Sequence, residues 1–189
     1  MASKLTRMKT RIFMAVVFLM MNVHIFAQTP VYLTKTYKPV ESDRYTAYSS
    51  LEIQGGDTWN NCFTLGVINN YHGYATFHLG GKYESISFIL GAEKSNGGND
   101  PNIVQIHADG RRIFDHVLRD GDLSKQFTLN ISGVDKLEFS LVKPEVEAAF
   151  CEVALWTKGQ TPHDLRGKND PQVKTRMLFR DIAPYRMNG

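Results

Sequence analysis

From about Leu51 onward, apolar and polar residues alternate with a period of two, in short runs bounded by Gly, Asn, Asp and Pro. The runs predict strands over 51–54, 61–68, 74–80, 84–92, 102–108, 111–118, 126–132, 135–142 and 149–157. Ala75, Phe77 and Leu79 alternate with Thr76 and His78. Phe127, Leu129 and Ile131 alternate with Thr128 and Asn130, and Leu137, Phe139 and Leu141 with Glu138 and Ser140. A strand with one apolar and one polar side rests one sheet face on a core and the other in water. That is the habit of antiparallel sheets and not of βαβ units. Asp109-Gly110 separates "NIVQIHA" from "RRIFDHVL" and is a favoured two-residue hairpin turn. Ser132-Gly133 turns the chain again. No window of helical length after the first 27 residues carries a 3.6 period. The pattern predicts an all-β fold, an antiparallel β-sandwich of jelly-roll type.

The two ends read differently. Lys4, Arg7, Lys9 and Arg11 precede the apolar run Ile12–Met21, and small Ala27 precedes Gln28. This is the layout of a cleaved signal peptide over 1–27, and it predicts export to the periplasm or cell surface. The run is short for a membrane span, which needs about 20 apolar residues; a retained amphipathic anchor is the competing reading. No cysteine follows the cleavage point to take a lipid. Residues 28–50 are polar and Tyr-rich and are expected to wrap the sandwich edge. The sandwich itself is assigned to 51–157. Residues 158–189, with Pro162, Gly167, Pro171 and Pro184, form a mostly irregular extension in which "TRMLFRDI" is a candidate added strand.

Composition changes this picture only after the leader is set aside. The chain has 22 Lys+Arg against 19 Asp+Glu. The leader carries four of the former and none of the latter, so the remainder is close to neutral, at about −1. Nucleic acid and anionic membrane are therefore not favoured partners. A local exception is the net +4 of residues 157–189.

Two cysteines, Cys62 and Cys151, enter a compartment in which disulfides persist, so a bridge is a natural candidate. Strand parity opposes it. Phe63, Leu65 and Val67 form an inward set that turns Cys62 outward, whereas Cys151 shares parity with inward Val153 and Leu155. The two meet only if a bulge intervenes.

Catalytic signatures are missing: there is no G-x-S-x-G elbow, H-E-x-x-H or C-x-x-C. "QGGDTWNN" lacks the Lys-Ser/Thr ending of a phosphate loop. His78 and His107 share polar parity and are candidate metal ligands, or simply solvated histidines. Asp57, Asp115 and Glu138 are available acids, but their spacing selects no pair for glycoside hydrolysis. Asn96, Asn99 and Asp100 in "KSNGGNDPN" supply the hard oxygens that Ca²⁺ prefers, though a long turn has the same composition. For a sugar, flat aromatic faces stack on pyranose C–H patches while amides and acids bind hydroxyls. Trp59 with Asn60 and Asn61 is one candidate loop site. Tyr71 with His72 is a rival at the other end of the same strand. Either aromatic is as readily a lid on the core. Trp156, of the other parity from Leu155, packs under the C-terminal extension or faces a ligand.

Four segments together resemble the NPCBM family of carbohydrate-binding modules. They are Leu79 to Tyr83 ("LGGKY"), Asp109-Gly110 at a hairpin, Ser132 to Leu137 ("SGVDKL") and a last strand ending at Trp156. The resemblance spans roughly 50–157 and implies a non-catalytic β-sandwich that binds glycan. Its motif residues are mainly structural corners, so it identifies no ligand residue. The family's usual Gly-Val-Asp after the strand is Gly91-Ala92-Glu93 here. The expected function is a stand-alone exported carbohydrate-binding module. The alternative is a protein-interaction subunit of an envelope or cell-surface assembly, with another envelope protein as partner.

Overall fold

The computed structural model describes residues 29–68, 71–93, 101–142 and 147–165. The chain opens with β1 (Val31–Tyr32) and a single-turn helix α1 (Leu33–Thr36). It continues through β2 (Glu41–Asp43), β3 (Tyr45–Glu52), β4 (Thr58–Leu65), β5 (Val67–Ile68), β6 (Tyr71–His72) and β7 (Tyr74–His78). Then come β8 (Ser85–Ala92), β9 (Asn102–Ala108), β10 (Arg111–Leu118), β11 (Lys125–Asn130), β12 (Lys136–Leu141) and β13 (Ala148–Trp156). The first sheet runs β11-β8-β13-β4-β3, with β1 also on β13, and the second runs β10-β9-β12-β7-β2. Every pairing among the described strands is antiparallel.

The core between the sheets follows the alternation in the sequence. Phe63, Phe88 and Phe150 of the first sheet and Phe77 and Phe139 of the second are all fully buried. Phe63 and Phe150 are register partners whose rings stack at 4.8 Å, and Phe139 meets both edge-on at 5.2 and 5.0 Å. Each such ring contributes about 1.5–3 kcal/mol by leaving water. The interior sets Ala75/Phe77/Leu79 and Leu137/Phe139/Leu141 lie in this core as their parity predicts.

Turns sit where turn residues stand. Asp109 and Gly110 have φ of 48° and 79°, both left-handed, as a tight hairpin between paired Ala108 and Arg111 requires. At the Leu79–Tyr83 corner, Gly80 and Gly81 both have φ 65°. Their N–H groups donate to the Asp135 carboxylate and the Val134 carbonyl, which stitches this corner to the Ser132–Asp135 turn. Leu79 and Tyr83 are buried, and the Tyr83 hydroxyl meets that of Tyr37 at 2.9 Å. The motif is a joint between loops.

Two differences from the sequence expectations bear on the site. Residues 28–50 do more than wrap: β2 and β3 are the edge strands of the two sheets, and β1 joins the first sheet at β13. Strand β4 begins at Thr58, ahead of the predicted 61, so Trp59 is a strand residue. No helix among the described residues is long and apolar enough to cross a membrane.

Candidate functional site

The local event that builds the site is a fork in the first sheet. Strand β13 pairs with β4 from Ala148 to Phe150 and with β1 at Ala154 and Leu155. Between these stretches the chain changes partner. The β4–β13 register ends at the Phe150–Phe63 pair, and contact between the two strands passes to the Cys151–Cys62 bridge and to the Asn61 amide on the Glu152 carboxylate. Glu152 and Asn61 both adopt left-handed backbone, with φ of 49° and 51°. On the far side of β13, Cys151 pairs with Ile89 and Ala154 with Ser87, so Glu152 and Val153 together oppose Phe88 alone. That is a β-bulge.

The bulge resolves the cysteine question. It lets Cys151 and Val153 face opposite sides, so Val153 enters the main core while Cys151 turns outward with Cys62. The two cysteines are joined by a disulfide. Simple alternation through Glu152 is what made the pair look incompatible.

Around the fork lies a groove of about 620 Å³. Tyr32, Thr34 and Lys35 form one wall, Ala47, Tyr48 and Ser49 of β3 the other, and Asn60, Asn61 and Glu152 the floor. Glu152 is its hub. Its carboxylate accepts from the Asn60 backbone N–H and from Asn61 Nδ2, each at 3.2 Å. The Tyr32 hydroxyl donates to it as well. Burial, and then the charge and hydrogen bond of Glu152, hold the Tyr32 phenol above its ordinary pKa. Lys35 Nζ lies 5.4 Å from the centroid of the Tyr32 ring, within cation–π range. Leu33, fully buried in the main core, anchors the α1 turn that carries Thr34 and Lys35.

The groove thus combines tyrosine faces, amide groups, hydroxyls, one carboxylate and one ammonium. Such a set can engage a neutral polyhydroxylated ligand by stacking and hydrogen bonding. It holds one acid where glycosidases use two, about 5–9.5 Å apart. Glu93 and Glu147 do form an acidic pair elsewhere, but they bond directly to each other, and burial foremost raises Glu93 to about 7.

The sequence-selected residues divide. Asn60 and Asn61 line the groove, Asn61 almost fully buried. Trp59 does not join them as a stacking platform, and that expectation is corrected. At 8% exposure it packs with Ile53, Cys62, Ile89, Ala149 and Cys151 in a second apolar cluster on the outer side of the first sheet. The physical reason is the left-handed turn at Asn61, which puts Trp59 on the same face as Cys62. Tyr71 and His72 form the β6 side of a small hairpin with β5, beyond the end of β4 remote from Asn60. Asn96, Asn99 and Asp100 lie outside the described residues. His78 and His107 sit beside Asp135 and Glu138 at 3.5 and 3.8 Å, each engaged with its own acid. Asp115 is drawn to Arg112. Trp156 is fully buried, donates from Nε1 to Ser87 Oγ at 3.2 Å and meets His163 edge-on, so it packs under the C-terminal segment. Tyr32, Lys35, Tyr48 and Glu152 were missed because their elements converge only through the fork. Two Tyr in a polar segment were the available signal.

The fold is that of carbohydrate-binding modules. The CBM51 module of GH95 from Clostridium perfringens, solved in complex with methyl-galactose, superposes with a TM-score of 0.54 at 14% identity, covering 67% of this chain and 99% of that one. The tandem CBM51 modules of Sp3GH98, a family 98 glycoside hydrolase from Streptococcus pneumoniae, give a TM-score of 0.56 at 11% identity, over 72% of this chain and 49% of theirs. The M60 catalytic domain with its two CBM51 domains, from Clostridium perfringens ZmpB, gives 0.55 at 18%, over 68% of this chain and 15% of that one. A search of curated protein sequences finds no match. At such identities the likeness speaks for the fold, but the family rests on sequence: the profile of the NPCBM/NEW2 domain matches residues 24–160, taking in β1 and α1 as well as the four motifs. The chain therefore belongs to the NPCBM/NEW2 domain family.

Proposed function

We propose that this protein is an exported and non-catalytic carbohydrate-binding module whose glycan lies in the groove at the β4–β13–β1 fork. The observation that carries this reading is the Glu152 hub, which orients Tyr32, Asn60 and Asn61 around one concavity. A volume of about 620 Å³ is in the range of small-ligand sites and holds more than one pyranose ring. Tyr32 and Tyr48 offer ring faces, while the Asn61 amide and Lys35 ammonium offer partners to hydroxyls. The solved CBM51 module in complex with methyl-galactose supports a hexose as the ligand class. A single carboxylate in the groove supports binding without hydrolysis. The basic, apolar start of the chain supports export.

The test is a glycan array and affinity gels of polysaccharides with the purified protein, run with and without Ca²⁺. The calcium arm addresses Asn96, Asn99 and Asp100. Binding that falls in Asn61→Ala and Glu152→Ala but not in Tyr71→Ala assigns the groove. Loss in Tyr71→Ala or His72→Ala alone assigns the β5–β6 hairpin. A protein that binds no glycan in either condition refutes the reading, and release of reducing sugar from a bound polysaccharide refutes its non-catalytic part.

A further inference from the structure

The disulfide lies one residue from both left-handed positions of the groove. Cys62 precedes Phe63 and follows Asn61; Cys151 follows Phe150 and precedes Glu152. Both cysteines are fully buried under the outer cluster that includes Trp59. The β4–β13 register ends at Phe63–Phe150. Past that pair, β4 and β13 are held together by the bridge and then by the Glu152 carboxylate on Asn60 and Asn61. Left-handed backbone at a non-glycine residue persists only where its surroundings over-determine it. Asn tolerates that conformation and Glu does not, so Glu152 is the residue under constraint.

We propose that the Cys62–Cys151 bridge is a positioning element of the groove: it clamps the fork so that Glu152 stays in its left-handed conformation and keeps Tyr32, Asn60 and Asn61 in place. The inference rests on the glycan reading for its binding consequence, but its structural core stands apart from it. Without the bridge, β4 and β13 are free to part at the fork, and Glu152 relaxes toward extended backbone. Its carboxylate then leaves the Asn60 N–H, and the groove floor is lost while the main Phe core stays closed.

The experiment compares the bridged protein with Cys62→Ala/Cys151→Ala. Hydrogen exchange is read by NMR at the Asn60 amide and at the Phe77 and Phe139 amides of the second sheet. Methyl-galactose is titrated into the same samples. The proposal expects Asn60 protection to fall at least tenfold and methyl-galactose affinity at least tenfold, with Phe77 and Phe139 still protected. A control, Leu118→Ala, removes a buried side chain from β10 at the edge of the second sheet, away from β4, β13 and β1, and is expected to lower thermal stability while keeping both Asn60 protection and affinity. Unchanged protection at Asn60 in the folded double variant overturns the proposal. If the double variant does not fold in buffer, it is measured in trimethylamine N-oxide, which favours burial. A chain still unfolded there also overturns it, because the bridge is then a staple of the whole sandwich. If Asn60 loses protection as expected but the bridged protein binds no methyl-galactose and no glycan on the array, the positioning role stands and the glycan reading falls.

Discussion

Asn61 and Glu152 face each other across β4 and β13, both in left-handed backbone, and the Asn61 amide donates to the Glu152 carboxylate at 3.2 Å. Two adjoining strands are thereby bent at the same level. The bends open the sheet, set the cysteines outward as a pair, and leave a carboxylate at the floor of the groove. Bulges of this kind concentrate beside functional sites, because they re-aim side chains that regular alternation would send elsewhere.

Substitution at Glu152 separates strain from hydrogen bonding. Glu152→Ala removes the acceptor of three donors but keeps the left-handed strain. Glu152→Gly removes both. The glycine variant is expected to be more stable than the alanine variant by about 1–2 kcal/mol, the cost of left-handed backbone for a residue with a Cβ. Both are expected to bind glycan at least tenfold more weakly than the parent, corresponding to about 1.4 kcal/mol. Urea unfolding and calorimetric titration give the two numbers; equal stabilities would remove strain from the account.

The bridge closes a loop of 89 residues. In the chain-entropy description such a closure contributes about 4–5 kcal/mol, a share of the roughly 5–15 kcal/mol typical of a domain, so the unbridged sandwich is expected to stay folded with a lower unfolding midpoint. Unfolding midpoints with and without a dithiol reductant check this. A shift worth less than about 1 kcal/mol would mean that the denatured chain is compact enough to gain little from the tether.

Trp59 is expected to matter for folding and not for ligand. Trp59→Ala opens a cavity in the outer cluster and is expected to cost about 3–5 kcal/mol. Trp59→Phe keeps most of the contacts and should leave glycan affinity within about twofold, well under the tenfold that 1.4 kcal/mol represents. A large loss of affinity in a stably folded Phe variant would return Trp59 to the binding surface.

The Glu93–Glu147 pair gives stability a pH dependence of definite sign. Burial, the hydrogen bond to Glu147 and its charge raise Glu93 from 4.5 to about 7 in the folded state. The native protein therefore holds a proton there that the unfolded chain has released, and stability falls as pH rises from about 4.5 through 7. The contribution is complete below pH 4.5. Glu93→Gln keeps a neutral donor and should flatten this slope, so melting temperatures of the two proteins converge at acid pH and favour the variant above pH 7. Parallel curves would show that the pair does not titrate in this window.

Much of this protein was written in its alternation. Period-two patterning places Phe77 and Leu137 inside, because a strand that turns every second side chain to one face has no other way to bury them. Asp109-Gly110 dictates a hairpin because both residues tolerate positive φ, and the Gly80–Gly81 corner follows from the same chemistry. The groove was half visible: Asn60 and Asn61 stood out as polar residues beside a Trp. What the sequence could not announce was the bulge at Glu152, since nothing in "CEVAL" marks a Glu for left-handed backbone. Only packing against β4, β8 and β1 imposes it. One displaced residue inverts parity from there on, so the bridge, the burial of Trp59 and the meeting of Tyr32 with Glu152 were all decided by tertiary contacts between segments about 90 residues or more apart in the chain.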